Sequence, residues 1–412
     1  MTFPSMLRML YPLFAVAFFI AAAAPTCAVH EWTLPFVAVE VIDQKVDPAG
    51  NIYALLFSPP RGLEVQKFDT SGRLLWTSSV LDDYADARLD FDAVGDAYVM
   101  MSDTEAVVTV KYDSSGRLLW KARFKPDAGW HNNYTVLAVD RATGVAYVTA
   151  STQTFPTEEG ALATIKYGAD GHEEWVRRYR PGAVSVGLAD DETLVVTPDG
   201  GVAALARLNL PDADVLLRYD AQGNLLWTHS EPMDVMGGVM EQVAVGADSA
   251  VYVGGQRGVT KYASTGELLW AAPCRQLFDF QVDLAGNVYC TEGAITRKYG
   301  PSGEQLWSAQ YVPPDGLRAG ASALALDASG SAYVTMLLRE EPVGWSYRTV
   351  ALVTVKYDAD GGQQWVAGHG PPSMGPRPAM LDSAVDGQGG VYVLAGGFVI
   401  KYAQVEYGQP GG

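Results

Sequence analysis

Apolar and polar residues alternate in short runs along nearly the whole chain, and the runs are punctuated by Asp-x-x-Gly. Alternation with a period of two marks strands, and Asp-x-x-Gly between two such runs marks a hairpin turn. One motif reads Lys-Tyr-Asp-x-x-Gly-x-Leu-Leu-Trp. It occurs as KFDTSGRLLW to Trp76, KYDSSGRLLW to Trp120, KYGADGHEEW to Trp175 and RYDAQGNLLW to Trp227. KYASTGELLW to Trp270, KYGPSGEQLW to Trp307 and KYDADGGQQW to Trp365 follow. In all seven the aromatic precedes Trp by eight residues and the Gly by four. A second motif, Val-Asp-x-x-Gly-x-x-Tyr-Val, alternates with it. Its tyrosines are Tyr53, Tyr98, Tyr147, Tyr252, Tyr289, Tyr333 and Tyr392, and the fourth copy, VTPDGGVAAL, has Ala203 in that place.

Asp favours the start of such a turn, and Gly supplies the positive φ that it needs. Each repeat therefore holds two hairpins and four strands, A to D. Tyr lies on strand B, Lys-Tyr ends strand C, and Trp lies on strand D. Four antiparallel strands in roughly 40–55 residues make a propeller blade. The A–B motif occurs eight times but the C–D motif only seven. The eighth strand C is FVIKY, ending at Tyr402, and no Trp follows it. The unmatched Trp is Trp32, in HEWTLPFV at the other end. The pattern predicts an all-β fold: an eight-bladed β-propeller with four antiparallel strands per blade. Its ring is closed by the N-terminal strand, which pairs edges that would otherwise be exposed. Trp32, Trp76, Trp120, Trp175, Trp227, Trp270, Trp307 and Trp365 are then structural and expected to be buried between blades. Trp130 and Trp345 fall outside the pattern.

The segment before the repeat has Arg8 as its one charge, then an apolar run from Met9 to Ala24 and small residues. It reads as a signal peptide cut after Ala24 or Ala28. A buried helix or a membrane anchor is the alternative, and lipidation of Cys27 is a third. The expected organisation is a signal peptide over 1–28, a propeller over 29–403 and a tail over 404–412. The mature chain has no transmembrane span in this reading, and the protein is exported to the periplasm, the cell surface or the medium.

At 412 residues the length suggests several domains, but a repeat running from end to end makes one. With 47 acidic and 29 basic residues the formal net charge is −18. A surface so acidic repels phosphate backbones, so nucleic acid is not an expected partner. Cys274 and Cys290 remain outside the leader. They fall in one repeat without forming an obvious cross-strand pair and read as two buried thiols. A disulfide is the alternative in an oxidising compartment.

The paired motifs resemble the bacterial β-propeller repeats called SBBP repeats. The Asp-x-x-x-Gly-x-x-x-Trp part is similar to the tryptophan-docking repeat of quinoprotein-like (PQQ-like) propellers. The resemblance covers about residues 30–402. It implies exported bacterial proteins, often at the cell surface and mostly of no known activity. Quinoprotein dehydrogenases carry a pair of adjacent cysteines, which this chain lacks. Non-enzymatic relatives include an outer-membrane assembly lipoprotein that acts as a scaffold, a role that fold alone does not transfer.

Both Asp-x-x-Gly turns of a blade fall on one rim, and the B–C and D–A connections on the other. Those connections vary. Tyr of strand B precedes the aromatic of strand C by 10 residues in blades five, six and eight, by 20 in blade three and by 24 in blade seven. Variable loops on a rigid scaffold are the usual place for binding residues. The candidate ligand-binding residues are Trp130, His131 and Tyr134 in blade three and Trp345, Tyr347 and Arg348 in blade seven. Asp127, Asn132, Glu340 and Glu341 lie beside them, and His229 and His369 are expected near this rim. Aromatics beside Arg and His suit a protein, peptide or carbohydrate. Packing of the loops onto the ring is the duller explanation. No catalytic motif, metal motif or cofactor motif is present. The expectation is a non-enzymatic binding or scaffold protein without cofactor. A periplasmic lyase or hydrolase using His and acidic residues of this rim is the alternative.

Overall fold

The computed structural model describes residues 26–406 except 37–39, 60, 81–85, 128–129, 155–158, 183–184, 189–192, 210–211, 233–240, 276, 341–347 and 371–380. The described residues form eight antiparallel sheets arranged as blades. Blades one to four span 40–80, 86–124, 130–179 and 185–232. Blades five to seven span 242–273, 279–310 and 317–369. Blade eight takes strands A to C from Leu381–Val385, Val391–Ala395 and Phe398–Glu406, and strand D from Thr26–Pro35 at the other end of the chain. The two termini pair antiparallel, with Trp32 opposite Lys401 and Cys27 opposite Val405. The N-terminal strand thus begins within the stretch read as a leader, and the last strand extends beyond residue 403. Strands A of neighbouring blades touch around the ring and surround the central axis.

Strands B and C are buried on both faces, as in VVTVKY of Val107–Tyr112, because each blade packs against two neighbours. Strand D buries alternate residues at most, as the outermost strand must. Apolar clusters form between blades rather than within them: Tyr53 and Val65 of blade one pack with Leu89 and Val99 of blade two.

Two repeated contacts fix the angle between blades. The Trp of strand D donates Nε1–H to the carbonyl of the second residue of the next blade's C–D turn. Trp76 reaches Ser114 O at 2.9 Å, Trp120 reaches Ala169 O at 2.9 Å and Trp307 reaches Ala359 O at 2.9 Å. The indole face lies on the glycine of that turn. At Gly116 φ is +87°, and a Cβ there would sit 2.7 Å from the Trp76 ring, so glycine is required twice over. The second contact is made by the Tyr of strand B. Tyr98 OH lies 3.0 Å from Asp92 Oδ2 and 2.9 Å from Gly144 O of the next blade. The strand C lysine completes it, with Lys111 Nζ 3.1 Å from Asp92 and 4.8 Å from the Tyr98 ring centre. The motif tryptophans are less enclosed than expected. Trp175 and Trp365 are buried, while Trp32, Trp76, Trp120, Trp227, Trp270 and Trp307 are half-buried, since one ring face packs and an edge meets solvent.

Blade four, which lacks the tyrosine, uses a different device. Arg218 stands where most blades have Lys. Its guanidinium is fully buried and makes two 2.6 Å contacts with Asp199. It occupies the space beside Gly201, where even a Cβ would collide with it. Blade eight has a seam instead of a C–D turn, so Trp365 has no turn to dock on and its Nε1 finds no partner among the described residues. Gln404 fills the place. It accepts from Lys356 Nζ at 2.7 Å and donates to Gly389 O at 2.6 Å and Tyr333 OH at 2.9 Å.

Cys274 and Cys290 form a disulfide, so the reading as two free thiols is corrected. The cysteines lie in different blades. Cys274 follows strand D of blade five, and Cys290 is in strand B of blade six. A search for a pair within one blade misses a bridge that runs between neighbours.

Candidate functional site

The A–B and C–D turns lie on one rim, and the chain's variable connections lie on the other. Blades three and seven stand tallest on the variable rim. Their strands A and B are Trp130–Val139 with Ala146–Thr154, and Leu317–Leu326 with Ala332–Glu340. In blade six the same strands are only Asp279–Val282 and Val288–Glu292. The added residues pair in register, Trp130 opposite Thr154 and Leu317 opposite Glu340, so these hairpins are rigid extensions and not loose loops.

Trp130 opens the tall hairpin of blade three. Its N–H donates to Asp127 O at 2.9 Å. The Asp127 carboxylate accepts from Arg178 at 3.1 Å and Arg180 at 3.3 Å. Arg180 lies 5.3 Å from the Trp130 ring centre, and Arg178 lies 5.7 Å from that of Phe124. The Asp127 and Arg180 side chains remain about half exposed, so the cluster is open to solvent. His131 sits opposite Gln153 and is half-buried. A bulge between Asn132 and Thr135 turns Tyr134 outward, leaving it 59% exposed. Asn132 ties the hairpin to blade two through Thr104 O at 3.0 Å and Asp103 O at 3.2 Å.

In blade seven, Arg348 is exposed at the foot of the B–C connection, 3.4 Å from Glu340. Trp345, Tyr347 and Glu341 lie outside the described residues. Trp130, His131 and Tyr134 share one hairpin, but Arg348 belongs to the blade four places further round the ring. The structure therefore gathers the candidates into two opposed groups and not into one pocket.

The histidines do not converge either. His229 lies in strand D two residues after Trp227, stacks on Tyr262 at 4.4 Å and contacts Gly266 O of the next C–D turn. Ser78 and Arg177 make the same contact, to Gly116 O and Gly223 O, from the same position after Trp. His229 thus belongs to the docking contact near the turn rim, which corrects its expected place. Strand D starts at the turn rim, so two residues after Trp is still close to it. His369 ends its strand D and stacks on His30 at 5.8 Å. Among the described residues no three His, Cys, Asp or Glu are grouped so as to hold a metal ion.

The central channel was not singled out by the motifs. A cavity of about 750 Å³ at its turn-rim mouth is lined by Lys45, Asp90, Arg141, Thr197 and Gln242, among others. Carboxylates on strands A stitch the blades together above it. Asp43 accepts from Leu89 N at 2.8 Å, Asp90 from Val139 N at 2.9 Å and Asp279 from Leu324 N at 2.7 Å. Burial, opposed in part by the Gln242 amide, pushes the Asp279 carboxyl up to about 7, and the charge of Asp382 adds to the rise. Asp382 is also raised. The residue is exposed, yet protein crowds its carboxyl, and Lys45 relieves only part of that enclosure. The signal for these groups was present as polar residues at strand A positions, but no motif marks them.

A family described as outer membrane protein assembly factor BamB matches residues 211–341, which is under half of the chain. None of the curated proteins matches. Among solved structures, the WD40 domain of SCAP from fission yeast is 8% identical. It covers 90% of this chain and 98% of its own, with a TM-score of 0.51. A streptogramin B lyase structure is 11% identical over 92% of this chain and 98% of its own, with a TM-score of 0.45. A protein of unknown function from Bacteroides caccae is 14% identical over 66% of this chain and 93% of its own, at 0.34. The family match and the docked tryptophans together support a PQQ-like β-propeller. No helix among the described residues is long and apolar enough to cross a membrane.

Proposed function

We propose that this chain is an exported, non-enzymatic binding or scaffold propeller of the SBBP type, engaging a protein, peptide or carbohydrate through its variable rim. The observation that carries this reading is the pair of tall, rigid hairpins of blades three and seven on opposite sides of that rim. The docking of Trp on the next blade is complete without such residues in blades five and six, although Asn132 also ties its hairpin to blade two. Trp130 beside Arg180, with Tyr134 exposed, offers the aromatic and cationic surface that anchors partners. The Cys274–Cys290 bridge suits an oxidising compartment and supports export.

The test is a screen of the labelled protein on peptide and glycan arrays, followed by titration of any ligand found. Trp130→Ala combined with Arg348→Ala should weaken binding about tenfold or more, a loss typical of anchor residues. Thermal unfolding should stay nearly unchanged, and Gln222→Lys on the turn rim should have no effect. Binding that survives the double change but is lost on Arg141→Ala would move the site to the channel mouth.

A further inference from the structure

Strand D is the outermost strand of every blade and, among the described residues, pairs on one side only, so its other edge presents N–H and C=O groups open to a further strand. Trp and every second residue after it face the next blade. In blade two Trp120 docks on blade three, and Phe124 is buried against it. The intervening positions point the other way, and there blade two carries Lys121, Arg123 and, just past the strand, Lys125, all exposed. The same positions hold Thr77 and Ser79 in blade one, Thr228 and Ser230 in blade four, and Ser308 and Gln310 in blade six. Blade three has Val176 and Arg178, and that arginine is tied to Asp127. No other blade has a cation at the first two of these positions.

A basic stripe stands out in a chain with 47 acidic and 29 basic residues. Lysine on a sheet edge often serves to block association between edges. That role does not explain the stripe, because six other edges of this ring do without it. Its period does. Every second residue of a strand recurs at about 6.8 Å, which is also the spacing of alternate side chains in a second extended chain laid alongside.

We propose that the outer edge of blade two receives an extended segment of another protein with acidic residues at alternate positions, added as a fifth strand. The main chain of that segment pairs with the free edge of Leu118–Phe124, and its carboxylates meet Lys121, Arg123 and Lys125 across the new pair. The acidic remainder of the surface repels such a segment and directs it to this edge. Lys121 and Arg123 lie on the outer wall and Lys125 where that wall meets the D–A connection, and the strand pairing does not depend on the reading of the variable rim.

The test is fluorescence anisotropy with a labelled eight-residue peptide of alternating Glu and Thr. It should bind, and more weakly as salt rises from about 20 to about 300 mM. Lys121→Glu with Arg123→Glu should weaken it about tenfold or more, because attraction becomes repulsion. N-methylation of alternate peptide nitrogens should do the same, since it removes the donors of strand pairing. Lys121→Gln with Arg123→Gln, a milder change, should give an intermediate loss at an unchanged melting temperature. Trp130→Ala should leave binding intact. Absence of binding overturns the proposal, as does equal binding of the N-methylated peptide, which would make the stripe a general polyanion surface. Self-association of the chain that needs the stripe, without peptide binding, overturns it in favour of a second copy.

Discussion

At the scale of single residues, the ring depends on side chains that do two things at once. Trp120 packs a face on Gly171 and donates its N–H to Ala169 O, so position and orientation are set together. Lys111 neutralises Asp92 while lying over the Tyr98 ring. The channel carboxylates are the exception, because burial and the charge of Asp382 raise the cost of ionising Asp279. A carboxyl raised in the folded state contributes stability that is full below its unfolded value of about 3.9. That contribution is lost as pH rises through the folded value, here about 7 for Asp279. The melting temperature should therefore fall between about pH 5 and pH 8. Asp382→Asn removes the neighbouring charge and should flatten the fall. Equal slopes in the variant and the parent, measured by thermal denaturation across that range, would show that the pair is not coupled in the folded state.

At the scale of strands and blades, closure is the vulnerable point. Seven blades are single stretches of chain, and the eighth joins Phe398–Glu406 to Thr26–Pro35 by main-chain pairing alone. Its missing turn leaves Trp365 undocked, and Gln404 carries the contacts there. Gln404→Ala should cost about 1–2 kcal/mol, since it leaves Lys356 and Gly389 O without partners. Deleting residues 29–37 should lower stability much further by exposing two edges, and chemical denaturation of both variants checks the order. The blade count and the closing strand were legible in the sequence, because the Trp and Tyr spacings count hairpins directly. The function of Gln404 was not, since a seam substitute occurs once and has no repeat to mark it. The disulfide and the place of His229 were missed for a related reason: both are contacts between blades, and the motifs describe what happens within one. Trp130 and Tyr134 could be picked out as residues that the repeat does not need, but their separation from Arg348 follows from ring geometry.

At the scale of the whole molecule, the ring has one covalent fastening and one open seam, and they are not in the same place. The disulfide joins blade five to blade six, whereas the seam lies in blade eight. The bridge closes a segment of 16 residues in sequence. A loop of that size stabilises by about 3 kcal/mol in the chain-entropy account. Cys274→Ala with Cys290→Ala should therefore lower global stability by about 2–3 kcal/mol, with some loss recovered because the alanines remain apolar. Opening of the ring at the seam is a different event. It separates Phe398–Glu406 from Thr26–Pro35 without stretching the segment between the cysteines, so the bridge does not oppose it. Hydrogen exchange at Val399 and Ile400 should then be unchanged in the double variant at early times, while exchange that requires global unfolding accelerates. Faster early exchange at the seam in that variant would mean instead that strain passes through blades six and seven, and that the ring behaves as one cooperative unit.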